Sequence, residues 1–110
     1  MTEDQLQQQI YTWYNNNFCL KKHEPRHIIF SVPNGGSRNV IEAKKMKATG
    51  LLPGVSDLII IRPDKVLFIE LKIEKGVQSE SQKEFESRIK NLGYEYHLVS
   101  SLDEFKSSLI

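Results

Sequence analysis

The stretch Asp57-Leu58-Ile59-Ile60-Ile61-Arg62-Pro63-Asp64-Lys65-Val66-Leu67-Phe68-Ile69-Glu70-Leu71-Lys72 decides the fold. It holds two dense apolar runs, Asp57 to Arg62 and Lys65 to Lys72, joined at Pro63-Asp64, and reads as a pair of strands. A run such as Leu58-Ile59-Ile60-Ile61 suits a central strand covered on both sides. The two-residue period of a strand puts Glu70 and Lys72 on one face and Leu71 on the other. With Pro63-Asp64 as the loop and Arg62 paired with Lys65, Asp57 lies directly across from Glu70. Opposed residues on one face of an antiparallel pair have Cβ atoms about 4.5–5.5 Å apart. Two carboxylates that close, flanked by apolar strands, repel one another and lose solvation, so they need a cation. Proline does not fit the usual primed hairpin turns, so this register is an expectation that a slip would undo.

Oxygen ligands completed by water suit Mg²⁺ or Mn²⁺, and no thiolate set is present to favour zinc. Lys72, on the same face as Glu70, can orient or deprotonate an attacking water or neutralise a phosphate. Glu-x-Lys on a strand is by itself a common pattern of an exposed acid and a lysine lying along apolar surface. Asp57, just after Gly54-Val55-Ser56 and facing Glu70 in this register, is what gives the pattern chemical meaning.

Around this hairpin the chain alternates helices and strands. Thr2 with Gln5 makes a capping box, and Leu6, Ile10 and Trp13 follow at helical spacing, which predicts a helix from Glu3 to about Asn16. His27 to Val32 reads as a strand stopped by Pro33-Asn34-Gly35-Gly36, and Val40 to Thr49 as a helix ended by Gly50. Ser79 can cap a helix with Gln82 at the box position and Phe85, Ile89 and Leu92 on its apolar side. Gly93 ends it, Tyr94 to Ser100 is a strand, and Ser101 opens a short helix through Leu109. The order αβαββαβα indicates the α/β class: a mixed central β-sheet flanked by helices on both faces.

The chain has 110 residues, which predicts a single domain spanning 1–110. One cysteine excludes a disulfide framework, and the apolar stretch is broken by Arg62-Pro63-Asp64-Lys65, so nothing is expected to span a membrane. The polar, acidic opening is unlike a secretory leader, and a reducing cytoplasmic setting is expected. The net charge is +1, yet Leu20 to Gly50 carries seven Lys/Arg against Glu24 and Glu42, a local +5. Such a segment in an otherwise balanced chain is either a solvated surface or a footprint for a phosphate backbone. Cys19, His23 and His27 recur every four residues, but Pro25 interrupts any helix through them, which argues against a zinc half-site. Trp13, Tyr11, Tyr14 and Phe18 read as core or a subunit contact, and Tyr94 and Tyr96 as packing.

These residues resemble the VRR-NUC domain, a branch of the PD-(D/E)xK nuclease superfamily, in its compact stand-alone form typical of phages. The resemblance runs from Glu3 to about Phe105. It is carried by Glu3-Asp4-Gln5-Leu6-Gln7, by Pro33-Asn34-Gly35-Gly36 after a strand, and by Gly50 before Pro53-Gly54-Val55-Ser56-Asp57. Ile69-Glu70-Leu71-Lys72, the helix start Ser79-Glu80-Ser81-Gln82 and Gly93 complete it. Ser56 stands where the superfamily's name implies proline, a variable position.

The resemblance implies a restriction-endonuclease-like core and a Mg²⁺- or Mn²⁺-dependent endodeoxyribonuclease, with no small-molecule cofactor beyond the metal. Asp57 and Glu70 match the metal carboxylates, with the backbone carbonyl of Leu71 as a further ligand, and Lys72 matches the catalytic lysine. Glu3 is similar to an acidic residue that completes the site through water, and Gln82 to a catalytic glutamine facing it from the next helix. Given a nuclease, Arg38, Lys44, Lys45 and Lys47 are candidates for DNA-phosphate contacts, and the Asn34 turn for approach to the substrate strand. Stand-alone members resemble Holliday-junction resolvases, which implies branched DNA as partner and, because resolution needs two symmetric cuts, a C2 homodimer. The rivals are a nicking or restriction-like nuclease of other specificity and a DNA-binding module that keeps the fold but cuts nothing.

Overall fold

A computed structural model describes residues 1–33 and 40–110. The elements run α1 (Glu3–Phe18), β1 (Ile28–Ser31), α2 (Val40–Ala48), β2 (Leu58–Ile61), β3 (Val66–Leu71), α3 (Glu80–Asn91), β4 (Glu95–Val99) and α4 (Leu102–Ser108). This is the expected order, with strand ends a residue or two shorter. The sequence-based readings of Asn34, Gly35, Gly36 and Arg38 lie outside the described residues.

The helix starts follow from local side-chain chemistry. The first amides of a helix have no partner within it, and a cap supplies one. Thr2 Oγ1 accepts from Gln5 N at 3.1 Å while Gln5 Oε1 accepts from Thr2 N at 2.8 Å, closing the capping box of α1. Ser79 and Gln82 do the same for α3 at 3.2 and 2.8 Å, and Ser101 Oγ accepts from Glu104 N at the start of α4.

The sheet order is β1-β2-β3-β4. β1, β2 and β3 are antiparallel neighbours, whereas β3 and β4 are parallel and are joined through α3. Alternation along the strands sorts their side chains into two faces. One face carries Ile29, Leu58, Ile60, Leu67, Ile69, Leu71 and Val99, all buried against Leu6, Ile10 and Tyr14 of α1 and Phe105 of α4. Each such side chain contributes roughly 1.5–3 kcal/mol relative to exposure. Trp13 closes this layer with its ring edge-on to Phe105 at 6.2 Å, and Tyr14 is wholly buried, as the core reading of these aromatics expects.

On the other face, Phe85 and Ile89 of α3 pack on Tyr96 with Phe68 and Val55. This cover reaches only β3 and β4. Ile28, Phe30 and Ile61 remain 52%, 40% and 40% exposed, so among the described residues β2 is covered on one side rather than both. The sequence cannot distinguish these cases, because an apolar run says which residues can be buried and not how far a helix extends across them. Glu70 and Lys72 share this second face with Phe68, and the site forms where the cover of α3 begins.

Candidate active site

Pro63 and Asp64 do turn the chain in the expected register. Arg62 N donates to Lys65 O at 2.9 Å, and Ile61, Ile60, Ile59 and Leu58 pair in turn with Val66, Leu67, Phe68 and Ile69. One step further along this ladder sets Asp57 across from Glu70. Asp57 also ties three strands together at this end of the sheet. Its backbone carbonyl accepts from Val32 N at 3.1 Å, and its Oδ2 accepts from Leu71 N at 2.8 Å. The aspartate is thus aimed at β3 by a backbone donor, which fixes the direction of its side chain.

Glu70 is in the opposite condition. It is 1% exposed, and among the described residues neither carboxyl oxygen has a hydrogen-bond partner. A buried acid without donors costs several kcal/mol if charged, so it holds its proton instead. Burial is the main cause that pushes Glu70 far above the ordinary carboxylate range, and the neighbouring Asp57 carboxylate pushes it further. Lys72 pulls in the opposite direction without compensating. A buried pair of carboxylates with unused oxygen lone pairs is the donor set that a small, hard divalent cation satisfies. The residues present therefore fit Mg²⁺ or Mn²⁺. Among the described residues no three His, Cys, Asp or Glu side chains gather closely enough to hold an ion alone, so carbonyl oxygen and water would have to complete the shell.

The loop before Asp57 is seated on the start of α3. Gly54 has φ +85°, and a Cβ there would stand 2.3 Å from Ser81 O and 2.8 Å from Gln82 N. Only glycine combines that backbone conformation with so close an approach. The contact brings Gln82 beside the segment that leads into Asp57, although Gln82 Oε1 is engaged by Ser79 N in the cap. Ser56, at the superfamily's proline position, is wholly buried. Lys72 follows β3 directly, its backbone N donating to Val99 O at 3.1 Å. At the other side, Asp4, Gln7 and Tyr11 of α1 line a groove of about 360 Å³ with Ser31 and Leu58. The first turn of α1 thus lies over the same end of the sheet as Asp57. Glu3, in that turn, is half-buried but does not join Asp57 and Glu70 in a three-acid cluster.

Lys44, Lys45 and Lys47 are exposed on α2. His23 and His27 are committed to local bonds, Nδ1 of His23 accepting from Leu20 N and Nδ1 of His27 meeting Tyr14 Oη at 2.8 Å. Two groups beside the site carry little signal in the sequence. Tyr96 packs on Phe85, as expected, but its hydroxyl also accepts from Gln78 Nε2 at 3.1 Å. Burial first, then the charge of Glu70, raises that hydroxyl above the usual tyrosine range. The parity that pairs Tyr96 with Phe68, two residues before Glu70, could have placed it on the site's face, but nothing in the sequence points to Gln78.

An acidic hairpin beside a lysine, on a mixed sheet between helices, defines a nuclease-type α/β domain. The VRR-NUC domain family matches residues 1–102, and the chain belongs to that family. Among solved structures the chain is similar to a VRR_NUC domain protein at 25% identity, with 99% of this chain and 85% of that chain covered and a TM-score of 0.75. No curated protein matches the chain. The motif order in the sequence therefore identifies the family correctly, and the family assigns a nuclease role. Among the described residues no helix is long and apolar enough to cross a membrane.

Proposed function

We propose that this protein is a Mg²⁺- or Mn²⁺-dependent endodeoxyribonuclease that hydrolyses phosphodiester bonds in branched DNA, with the four-way junction as its substrate and a C2 homodimer as its working form. One observation carries the metal-dependent reading: the buried carboxyl group of Glu70, whose oxygens have no hydrogen-bond partner among the described residues, faces Asp57 on the strand that Lys72 follows. Asp57, Glu70 and the carbonyl of Leu71 would hold the ion, with Glu3 reaching it through water. When bound, the ion supplies positive charge that lowers the cost of the charge developing on the scissile phosphate.

The chain's own groups do the rest. Asp57, fixed by Leu71 N, presents its carboxylate in one orientation, so little reorganisation is needed on binding. Glu70 would hold the ion as a carboxylate, its proton passing to solvent water. Lys72 stands on the same face to orient the attacking water and to offset phosphate charge, and Gln82 adds a neutral amide at the start of α3. Lys44, Lys45 and Lys47 contact the DNA backbone, outside the chemistry. The likeness of stand-alone members to Holliday-junction resolvases supports the branched substrate, and the two symmetric cuts that resolution needs from a chain with one site support the dimer.

The test is cleavage of a panel of linear, nicked, flapped and four-way DNA substrates with Mg²⁺ or Mn²⁺, beside an EDTA control and an Asp57→Ala variant. Metal-dependent cutting of the four-way substrate, absent in both controls, is the expected result. Equal behaviour in all three arms leaves a DNA-binding module, and preference for nicked or linear DNA removes the junction assignment. Sedimentation showing only a monomer at working concentration removes the paired cut.

A further inference from the structure

Among the described residues no hydrogen bond or ion pair holds the ammonium of Lys72. A lysine carries about 2 kcal/mol of rotamer entropy, so an ammonium that acts at one place needs its stem restrained by packing. That packing comes from the turn just beyond β3. Gly76 N donates to Ile73 O at 3.0 Å, and Glu74 takes a left-handed φ of 52°, which folds the chain back on itself. A Cβ on Gly76 would stand 3.1 Å from Ile73 O and 3.3 Å from Lys72 Cδ, so this turn lies directly on the lysine stem.

Something must hold the turn there. Val77 is 77% exposed and anchors nothing. Gln78 is the next residue, and its Nε2 donates to Glu86 Oε1 of α3 at 3.0 Å and to Tyr96 Oη of β4 at 3.1 Å. Both acceptors belong to the folded body. Glu86 is itself fixed by Lys90 at 2.6 Å and stays ionised, held below the ordinary glutamate range by that lysine. Tyr96 is buried against Phe85.

We propose that Gln78 is a positioning residue: clamped between Tyr96 and Glu86, it holds the Ile73–Gly76 turn on the stem of Lys72 and thereby sets where the ammonium points. The inference rests on the nuclease reading, in which Lys72 acts on the reacting groups. Gln78 touches neither metal nor substrate. Its effect reaches the reaction only through the lysine.

The test compares wild type, Gln78→Met, Tyr96→Phe and Lys72→Ala in steady-state DNA cleavage with Mg²⁺, alongside melting curves. Gln78→Met keeps the bulk of the side chain and loses both bonds. It should lower kcat about tenfold with KM for DNA unchanged, since displacements near 1 Å can cost as much or more. Tyr96→Phe, which removes one acceptor and keeps the ring packing, should have the smaller effect. In a Lys72→Ala background Gln78→Met should lower the residual rate no further. A fall of equal size in that background, a fall that tracks lost stability, or an unchanged kcat overturns the proposal. A second readout, ¹³C relaxation at Lys72 Cε, is independent of turnover: Gln78→Met should loosen it. A wild type that cuts no DNA, with Lys72 loosened by Gln78→Met, sinks the nuclease reading and keeps the clamp. Relaxation unchanged by Gln78→Met sinks the clamp whatever the wild type does.

Discussion

The two faces of the sheet are built from alternate residues of the same strands, and they are organised on opposite terms. Toward α1 and α4 the buried strand side chains, from Ile29 to Val99, are all apolar and pack on one another. Toward α3 the cover stops halfway, apolar residues of β1 and β2 stay half open, and a carboxyl group is buried with its oxygens unpartnered among the described residues. A face that only has to stabilise can satisfy every contact by itself. A face that binds something keeps a group in deficit, and the deficit is a reading of what is to be bound.

This contrast breaks most sharply at the acids and the lysine. Asp57→Ala and Glu70→Ala should each abolish metal-dependent DNA cleavage, and Lys72→Ala should lower it about 10²–10⁴-fold to a small residual rate, while the folded signal by circular dichroism persists. A Lys72→Ala enzyme with normal rates removes that residue from the mechanism. On the other face, Leu6→Ala should leave the chemistry intact in the surviving folded fraction and cost about 2–5 kcal/mol in a denaturant titration, the usual loss for emptying a packed core site. Equal activity losses from both faces would erase the distinction.

A pH series sharpens the contrast further. Without metal, folded Glu70 holds its proton to about 9, against 4.5 as its ordinary value. Between those values the native state binds more protons than the unfolded chain, so this group's contribution to stability falls as pH rises through that window. Melting temperature in EDTA should therefore decline from acid toward pH 9, and Glu70→Gln should flatten the slope. Added Mg²⁺ should restore more stability at the alkaline end, where the proton it displaces is more easily lost. The smallest effect belongs to neither face. Reversing charge at Lys44 and Lys45 should weaken DNA binding, with each lost phosphate contact reducing the salt slope by about 0.9, and leave cleavage at saturating DNA nearly unchanged.

Much of this was legible in the residues. Pro63-Asp64 between two apolar runs carries the register, and the register carries the meeting of Asp57 with Glu70. The capping boxes at Thr2 and Ser79 carry the helix starts, because their chemistry is local and spans three residues. Contacts between distant segments were not legible. The open side of β2 depends on how far α3 extends across the sheet. The engagement of Gln82 in its own cap, the lack of a three-acid cluster with Glu3 among the described residues and the bonds of Gln78 depend on side-chain directions that no periodicity encodes.

Gly54 has a bearing on how this scaffold can change. Its left-handed backbone and its 2.3 Å clearance to a main-chain oxygen are two independent objections to any other amino acid. Exchanging the proposed ligand acids should alter ion preference, and exchanging the lysines of α2 should alter how tightly DNA is held, both without moving the chain. A side chain at Gly54 would instead wedge the aspartate's loop away from the helix behind it. Redesign of this nuclease therefore has freedom in its reagents and almost none in this hinge-free seam.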